Sequence, residues 1–302
     1  MASVSFIVPV FNKSSYLKTV ISSLKKQKGN FMREFIFIND GSTDNSLKIL
    51  KKETLGLKNS KIINQKNKGS ANATNIGINL ARMDYLKFLD ADDILLSDAT
   101  QKLVQLLEEN PKYILAYGLQ RKVPNIDTVD LNEKIPQSSI TFLDTPIKLA
   151  MRNSMFNPSQ FLVRRRICQQ TDGCDERVGF SQEYSLTLRL SLLGSFIRLN
   201  YPITILPFRA PGQISENKNK QIFRVSKALE LFVKDNSNLP LKFKLFAQRR
   251  LTARSWRFAR NSLNSNILSK WFIYYLIGLL RLPFNILNTC IAANKVYKTK
   301  LD

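Results

Sequence analysis

The first part of the 302-residue chain alternates short apolar runs with stretches in which apolar residues recur at helical spacing. The runs at residues 4–10, 34–39, 61–64 and 85–89 predict four strands, and residues 75–83 predict a helix before the fourth. Strands that alternate with helices are typical of βαβ units. The pattern therefore predicts an α/β fold whose sheet is mixed, mainly parallel, and flanked by helices.

The middle of the chain is less regular. Residues 113–119 and 160–163 predict further strands, residues 177–193 a loop followed by a helix, and residues 198–206 a last strand or two. The polar segment 209–220 contains a proline and a glycine, which favours a linker.

Polar side chains follow three of the predicted strands. They are Phe11-Asn12, Asn39-Asp40 and the acidic run from Asp90 to Asp93. Ligands of open α/β sheets bind beyond the carboxyl ends of the strands, so we expect these three segments to meet.

Asp90 and Asp92 point to the same side of an extended chain, and carboxylates suit a hard divalent cation such as Mg²⁺ or Mn²⁺. The alternative is an acidic loop in which Asp93 or Ser97 caps the next helix.

Charge and composition narrow the possible partners. The chain has 46 Lys and Arg against 23 Asp and Glu, which predicts attraction to nucleic acid, anionic lipid or phosphorylated substrates, unless the excess lies on solvated faces. There is no histidine, which excludes a His-ligated zinc site and an imidazole triad. Three cysteines without metal-ligand spacing favour a reducing, cytoplasmic setting, and no signal-peptide pattern opens the sequence.

Five segments of the first third, in order, carry a resemblance to a known family. They are residues 5–12 (SFIVPVFN), 37–44 (FINDGSTD), 67–70 (NKGS), 75–77 (NIG) and 85–93 (YLKFLDADD). In these segments the chain resembles the family-two glycosyltransferases, which have the GT-A fold. A weaker match over residues 173–190 extends the resemblance to about residue 210.

The resemblance implies roles for particular residues. Pro9, Phe11 and Asp40 would line the base and ribose pocket, and Asp90 and Asp92 would take the ribose and the divalent metal. The other residues implied in binding the nucleotide-sugar donor are Asn12, Lys68, Gly69 and Asn75. Asp40 is alternatively a turn residue, and Gly69 a loop glycine.

Two positions depart from the family pattern. The family commonly has an arginine, suited to the donor diphosphate, where this chain has Thr74. The family usually has a Glu-Asp pair, with the Asp as base, where this chain has Gln182-Glu183. We predict that Glu183 is the base of an inverting transfer and that Asp92 is the second catalytic residue. The alternative is that Glu183 only stabilises a helix N-terminus.

The last part of the chain differs in character. Residues 216–302 carry 17 Lys or Arg against four Asp or Glu. Arg250, Arg254 and Arg257 would share one helix face, and residues 271–280 form an apolar run too short to span a bilayer. We predict a GT-A domain over 1–215 and a basic helical region over 216–302 that lies on an anionic membrane surface, on the inner face of the cytoplasmic membrane. A helical cap packed on the catalytic domain and a true transmembrane span are the alternatives.

The leading functional hypothesis is an inverting glycosyltransferase that acts on a glycan or glycolipid acceptor, such as a bacterial surface polysaccharide. A nucleotide-sugar-binding scaffold that has lost catalysis is the alternative. A nucleic-acid binder is disfavoured, because no recognition motif is present and the charge is concentrated outside the motif-bearing region. The sequence leaves open the sugar, the acceptor and the oligomeric state.

Overall fold

The computed structural model describes residues 1–137, 139–178, 182–208 and 218–297, so most of the predicted linker at 209–220 lies outside the described residues. The chain divides into two compact units. The first comprises Met1–Pro146, Phe156–Glu176 and Leu190–Pro211, and the second comprises Ile147–Met155, Arg177–Arg189 and Gly212–Asp302. The division at residue 215 stays a prediction, since the second unit also takes two segments from the middle of the chain.

The strands of the described residues lie in the first unit and form one sheet. They are β1 Ser3–Val10, β2 Met32–Asp40, β3 Ser60–Gln65, β4 Tyr85–Phe88, β5 Ile94–Leu95, β6 Tyr113–Val123, β7 Ile140–Leu143, β8 Phe161–Arg164 and β9 Ser195–Pro207. Their order is β3-β2-β1-β4-β8-β6-β9-β5, with β7 also paired to β9. The four strands β3-β2-β1-β4 are mutually parallel, β8 is antiparallel to both of its neighbours, and β9 runs parallel to β6. The mixed sheet that the sequence predicted is confirmed.

Helices of the first unit cover the sheet. They are α1 Leu17–Lys25, α2 Ser46–Glu53, α3 Ser70–Leu80, α4 Ala99–Glu109 and, after α5 Ile147–Arg152 of the second unit, α6 Arg165–Gln169. Strand β1 is buried almost throughout, which is why it appears in sequence as a continuous apolar run rather than an alternating one. Phe6 stacks on Phe35 of the neighbouring strand at 5.1 Å between ring centroids.

Helix α3 begins five residues earlier than predicted and ends at Leu80 instead of residue 83. Gly69, with a φ of 88°, starts it, and the extended backbone of Ala81 ends it. Its first turns carry polar residues that conceal the helical pattern in sequence. Gly77 lets the helix lie against β1, because a Cβ there would come within 2.3 Å of the Ile7 side chain.

The second unit is helical in its described residues. It holds α5 Ile147–Arg152, most of α7 Gln182–Leu193, α8 Lys218–Asp235, α9 Leu241–Leu263, α10 Lys270–Leu279 and α11 Ile286–Asn294. Its core joins residues from distant parts of the chain, among them Met151, Tyr184, Leu229, Leu251 and Cys290. Among the described residues, no helix combines the length and the apolar character needed to cross a membrane.

Candidate active site

The loop that follows β1 holds the edge of the sheet together. Since β1 lies between β2 and β4, its loop faces the carboxyl ends of both neighbours. Asn12, with a φ of 51°, accepts a hydrogen bond from the backbone N–H of Thr43 at 2.8 Å, and its own N–H donates to Ser42 Oγ at 3.0 Å. On the other side, Lys13 Nζ lies 2.5 Å from Asp92 Oδ2. The three predicted polar segments therefore meet at one edge.

Asp40 ends β2 and is buried. Its carboxylate accepts the backbone N–H groups of Lys68 and Gly69, each at 2.9 Å, and the Gln65 side-chain amide at 2.7 Å. The same Gln65 amide donates to Asn72 Oδ1 at 3.1 Å. Asp40 therefore fixes the turn that leads into α3, whatever else its carboxylate contacts.

Asn75 joins α3 to the loop at residues 173–176. Its side-chain oxygen accepts from the Cys174 N–H at 2.7 Å, and its NH₂ donates to Cys174 O at 3.0 Å and to Glu176 Oε1 at 2.8 Å. Asn72 donates to the other oxygen of Glu176 at 3.0 Å. Gly173 makes this approach possible, since its φ is 72° and a Cβ would lie 2.3 Å from the Asn75 oxygen. In this arrangement the side chain of Asn75, a predicted donor-binding residue, holds the loop.

Ser159 organises the acidic run that follows β4. Its hydroxyl donates to Asp93 Oδ2 at 2.6 Å and accepts the Asp90 N–H at 2.9 Å. Its carbonyl accepts from Lys87 Nζ at 2.5 Å. Burial is the largest cause that raises the pKa of the Asp93 carboxyl. The negative charges of Asp90 and then of Asp92 raise this pKa further.

Lys87 is fully buried beneath these acids, at 0% exposure. Burial lowers the pKa of its ammonium to about 7. The negative charges of Asp93 and then of Asp90 act in the opposite direction and raise this pKa. The ammonium also donates to the carbonyl of Phe88 at 3.1 Å. A buried cation at this place offsets part of the negative charge that the acidic run concentrates.

The carboxylate of Asp92 forms an ion pair with the ammonium of Lys13. The side chain of Asp92 is 14% exposed and the side chain of Lys13 is 19% exposed, so the pair is largely shielded from solvent. Within the described residues, no group of three or more Asp, Glu, Cys or His side chains is arranged to hold a metal ion. A cation bound here would have one or two carboxylates as protein ligands, and this is how Mg²⁺ is held when substrate phosphates complete the coordination.

Glu183 lies in the second unit, in the first turn of α7. Part of the residue reaches solvent, but its carboxyl group is enclosed by protein. This burial raises the pKa of the carboxyl to about 7, although it hydrogen-bonds to the Ser154 side chain and to the backbone N–H groups of Glu183 and Tyr184. A carboxyl with that pKa can accept a proton near neutral pH.

Three residues of the site have no counterpart among the sequence predictions: Lys13, Lys87 and Ser159. Lys87 carried a usable signal, because a lysine within an apolar run predicts a buried charge that needs partners. Lys13 is one position beyond a predicted site residue. Ser159 has no signal in the sequence, since its partners lie 66 and 69 positions away.

The family model described as "Glycosyl transferase family 2" matches residues 5–171, more than half of the chain. The chain belongs to glycosyl transferase family 2. The match contains most of β1, all of β2 to β4, the acidic run and Ser159, so the edge described above lies within the part of the chain that matches the family.

Curated relatives are consistent with this membership. Over 198 residues the chain is 28% identical to a chondroitin synthase of Pasteurella multocida, an alignment that covers 65% of this chain and 20% of that protein. It is 37% identical over 112 residues to an uncharacterized glycosyltransferase of Haemophilus influenzae, covering 36% of this chain and 44% of that protein. The chain thus spans about a fifth of the chondroitin synthase.

Solved structures share the fold along almost the whole chain. S. aureus TarS in complex with UDP-GlcNAc superposes with a TM-score of 0.70 at 17% identity, covering 99% of this chain and 90% of that one. The mannosyltransferase PcManGT of Pyrobaculum calidifontis, in complex with GDP-Man and Mn²⁺, gives a TM-score of 0.56 at 13% identity, with coverages of 96% and 86%. At these identities the likeness establishes the GT-A fold of this family 2 chain.

Proposed function

We propose that the protein is an inverting glycosyltransferase that moves a sugar from a nucleotide-sugar donor to a hydroxyl group of a glycan acceptor. The observation that carries the proposal is the meeting of the β1 loop, Asp40 and Asp92 at the carboxyl edge of the parallel strands in a family 2 chain. Ligands of such sheets bind at this edge. The likeness to a chondroitin synthase supports a polysaccharide as acceptor.

The donor would lie along this edge. The half-exposed Phe11 and the neighbouring Pro9 offer apolar surface for a base, and Asp40, Asn12 and the backbone at Lys68 and Gly69 offer polar contacts for the base and ribose. UDP- and GDP-sugars are the first candidates, since structural neighbours bind UDP-GlcNAc and GDP-Man.

Asp90 and Asp92 would hold Mg²⁺ or Mn²⁺. Their oxygen donors fit a hard cation, and the Lys13 ammonium shows that Asp92 already accepts positive charge. When bound, the cation would supply charge neutralisation for the departing nucleoside diphosphate.

Glu183 would take the proton of the acceptor hydroxyl. In the transfer, the hydroxyl oxygen forms a bond to the anomeric carbon and the bond from that carbon to the diphosphate oxygen breaks, the electron pair leaving with the diphosphate. The hydroxyl proton passes to the Glu183 carboxylate. The raised pKa of this carboxyl makes it a stronger proton acceptor than an ordinary glutamate, while leaving it largely ionised above pH 7.

Thermal shift with UDP, GDP, dTDP and CMP, each with and without Mn²⁺, tests the donor site. A ligand at a hundred times its Kd stabilises the folded state by about 2.7 kcal/mol, so binding is readily seen. We expect Asp92→Asn to lose the Mn²⁺-dependent part of the shift. Asp172→Asn, on an exposed loop of the same unit, is the matched control. No shift with any nucleotide would overturn the proposal.

A binding scaffold without catalysis is the second candidate. It is favoured by one observation, the buried Thr74 at the position where the family commonly has arginine. This candidate would be supported if the protein bound a nucleotide sugar but neither transferred the sugar to a glycan acceptor nor hydrolysed the donor.

We further propose that the second unit lies on an anionic membrane surface at the cytoplasmic side. Exposed apolar side chains cluster along α10 and beside it: Leu268, Ile273, Leu276, Leu279, Leu280 and Phe284. Lys270 begins α10, and Arg281 lies two residues beyond its end. Arg250 and Arg254, predicted to face the membrane, instead donate to the carbonyl of Arg152 at 2.5 and 3.1 Å, so the proposal now rests on α10.

Vesicle flotation tests the membrane proposal. The protein should float with vesicles that contain phosphatidylglycerol and much less with phosphatidylcholine alone, and high salt should release it. Replacing Ile273 and Leu280 together by serine should weaken binding by about tenfold or more, because each large apolar side chain buried contributes about 1.5–3 kcal/mol. Leu55→Ser, at an exposed leucine of the first unit, is the control. Equal flotation of all three proteins would contradict the proposal.

A further inference from the structure

The ammonium of Lys13 contacts the Asp92 carboxylate, and the diphosphate of the proposed donor also needs a cation. We propose that Lys13 is the diphosphate-binding cation of the donor site, and that its ammonium moves from Asp92 to the donor phosphates when metal and donor bind. This inference rests on the proposed function above. It assigns an anion-binding role to a residue that the sequence did not single out.

The geometry separates a fixed backbone from a movable side chain. The Lys13 N–H donates to Ser46 Oγ at 2.9 Å, and the Lys13 carbonyl accepts the N–H groups of Tyr16 and Leu17 at 3.0 and 3.2 Å. The backbone of Lys13 is therefore tied to the helices that follow β1 and β2. The four-carbon side chain carries a compact charge with three donors and can change partners without moving that backbone.

Charge balance favours such a change. Lys13 Nζ lies 2.5 Å from Asp92 Oδ2, an oxygen of the carboxylate that is proposed to hold the divalent cation. An ammonium and a divalent cation on one carboxylate oxygen repel each other strongly in a site that is largely shielded from solvent. The phosphate oxygens of the donor would offer the displaced ammonium a partner of at least equal negative charge.

The other cations of this edge are less suited to the role. Lys87 is buried, and its ammonium donates to two backbone carbonyls. The side chain of Lys68 is exposed, and the backbone N–H of the same residue is already bonded to Asp40. Thr74 supplies no charge. Lys13 combines a defined position, partial exposure and an anionic partner, Asp92, which the metal would take over from it.

Two titrations by calorimetry test the inference, with wild type, Lys13→Met and Lys18→Met. Lys18 is an exposed lysine of α1 and serves as the matched control. The first titration uses UDP and GDP without metal, and uridine and guanosine alongside. We expect Lys13→Met to weaken binding of the diphosphates by roughly tenfold to a hundredfold, as for loss of a hydrogen bond to a charged group, and to leave nucleoside binding unchanged.

The second titration uses MnCl₂ alone. Here Lys13→Met should bind more tightly than wild type, by roughly threefold to tenfold, because the competing ammonium has gone. The opposite signs distinguish the inference from a general loss of structure, which would weaken both ligands. Lys13→Gln, which keeps a polar side chain without charge, should repeat both results and serves if the methionine variant does not fold.

The outcomes separate the inference from the proposed function. If wild type binds nucleoside diphosphates and Lys13→Met binds them equally well, Lys13 does not contact the diphosphate and the inference is overturned. The same holds if Mn²⁺ binds the variant no more tightly than wild type. If neither wild type nor Lys18→Met binds any nucleoside diphosphate, the proposed function itself fails and the inference fails with it.

Discussion

Glu183→Gln should cost activity and gain stability, and the gain should depend on pH. The substitution keeps the size of the side chain and an oxygen that can accept from the Ser154 hydroxyl. What it removes is a carboxylate whose charge is poorly solvated in the folded state. We therefore expect transfer to be nearly lost while the variant unfolds at higher urea concentration than wild type, at alkaline pH.

The magnitude follows from the two pKa values. Burial raises the pKa of the Glu183 carboxyl from its ordinary value of 4.5 to about 7. Between these values the folded protein holds a proton that the unfolded chain has released, so stability falls as pH rises. The cost is absent below the ordinary value and complete above about pH 7. At about 1.4 kcal/mol per pH unit, it amounts to at most about 3 kcal/mol.

Urea unfolding of wild type and Glu183→Gln at about pH 5 and about pH 8 measures this difference. The variant should be more stable by about 2–3 kcal/mol at the higher pH and by much less at the lower pH. Glu109→Gln, at an exposed glutamate at the end of α4, is the control and should show no such trend. A variant that is equally or less stable than wild type at both pH values would refute the reasoning, because it would show that the carboxyl is not enclosed.

Three further predictions concern packing, the acidic run and the thiols. Gly77→Ala places a methyl group against β1 and should lower the unfolding free energy by about 1–3 kcal/mol in thermal melts, whereas an unchanged midpoint would show that α3 can shift. Ser159→Ala leaves the buried Asp93 carboxyl without its hydroxyl donor and should cost about 1–3 kcal/mol in urea, with weaker Mn²⁺ binding; a neutral effect would contradict its organising role. The buried thiols of Cys168 and Cys290, whose pKa values burial raises to about 12, should react with a disulfide reagent only on unfolding, so fast labelling of the native protein would disprove their enclosure.

The parallel half of the sheet could be predicted because the burial of its strands is visible in the sequence. Strands β1, β2 and β4 are buried on both faces, so each leaves a continuous apolar run that ends where a polar segment begins. The meeting of those polar segments then follows from topology. Strand β5, with two residues, and the half-exposed β7 leave no such run, and neither was predicted.

The chemistry of the site could be predicted from the sequence less well than its position. The sequence placed Asp92 and Asp93 at a strand end, but it contained nothing about their partners, because Lys13 reaches Asp92 and Ser159 reaches Asp93 through the fold rather than through spacing. The pKa of Glu183 depends on enclosure by residues from other parts of the second unit. Such enclosure is a property of tertiary packing and has no local pattern.

The composition of the second unit has a consequence for the order in which a newly made chain matures. Its core brings together Ile147 and Tyr184 from the middle of the sequence and Leu251 and Cys290 from near its end. During synthesis on the ribosome, α7 therefore lacks its packing partners until almost the whole chain has emerged. The strands of the first unit are all available once β9 has emerged. Under the proposed function, a chain that ended after β9 would contain Asp40 and Asp92 but lack α8, α9 and α11, whose residues share a core with Tyr184, so nucleotide-sugar binding would mature before sugar transfer.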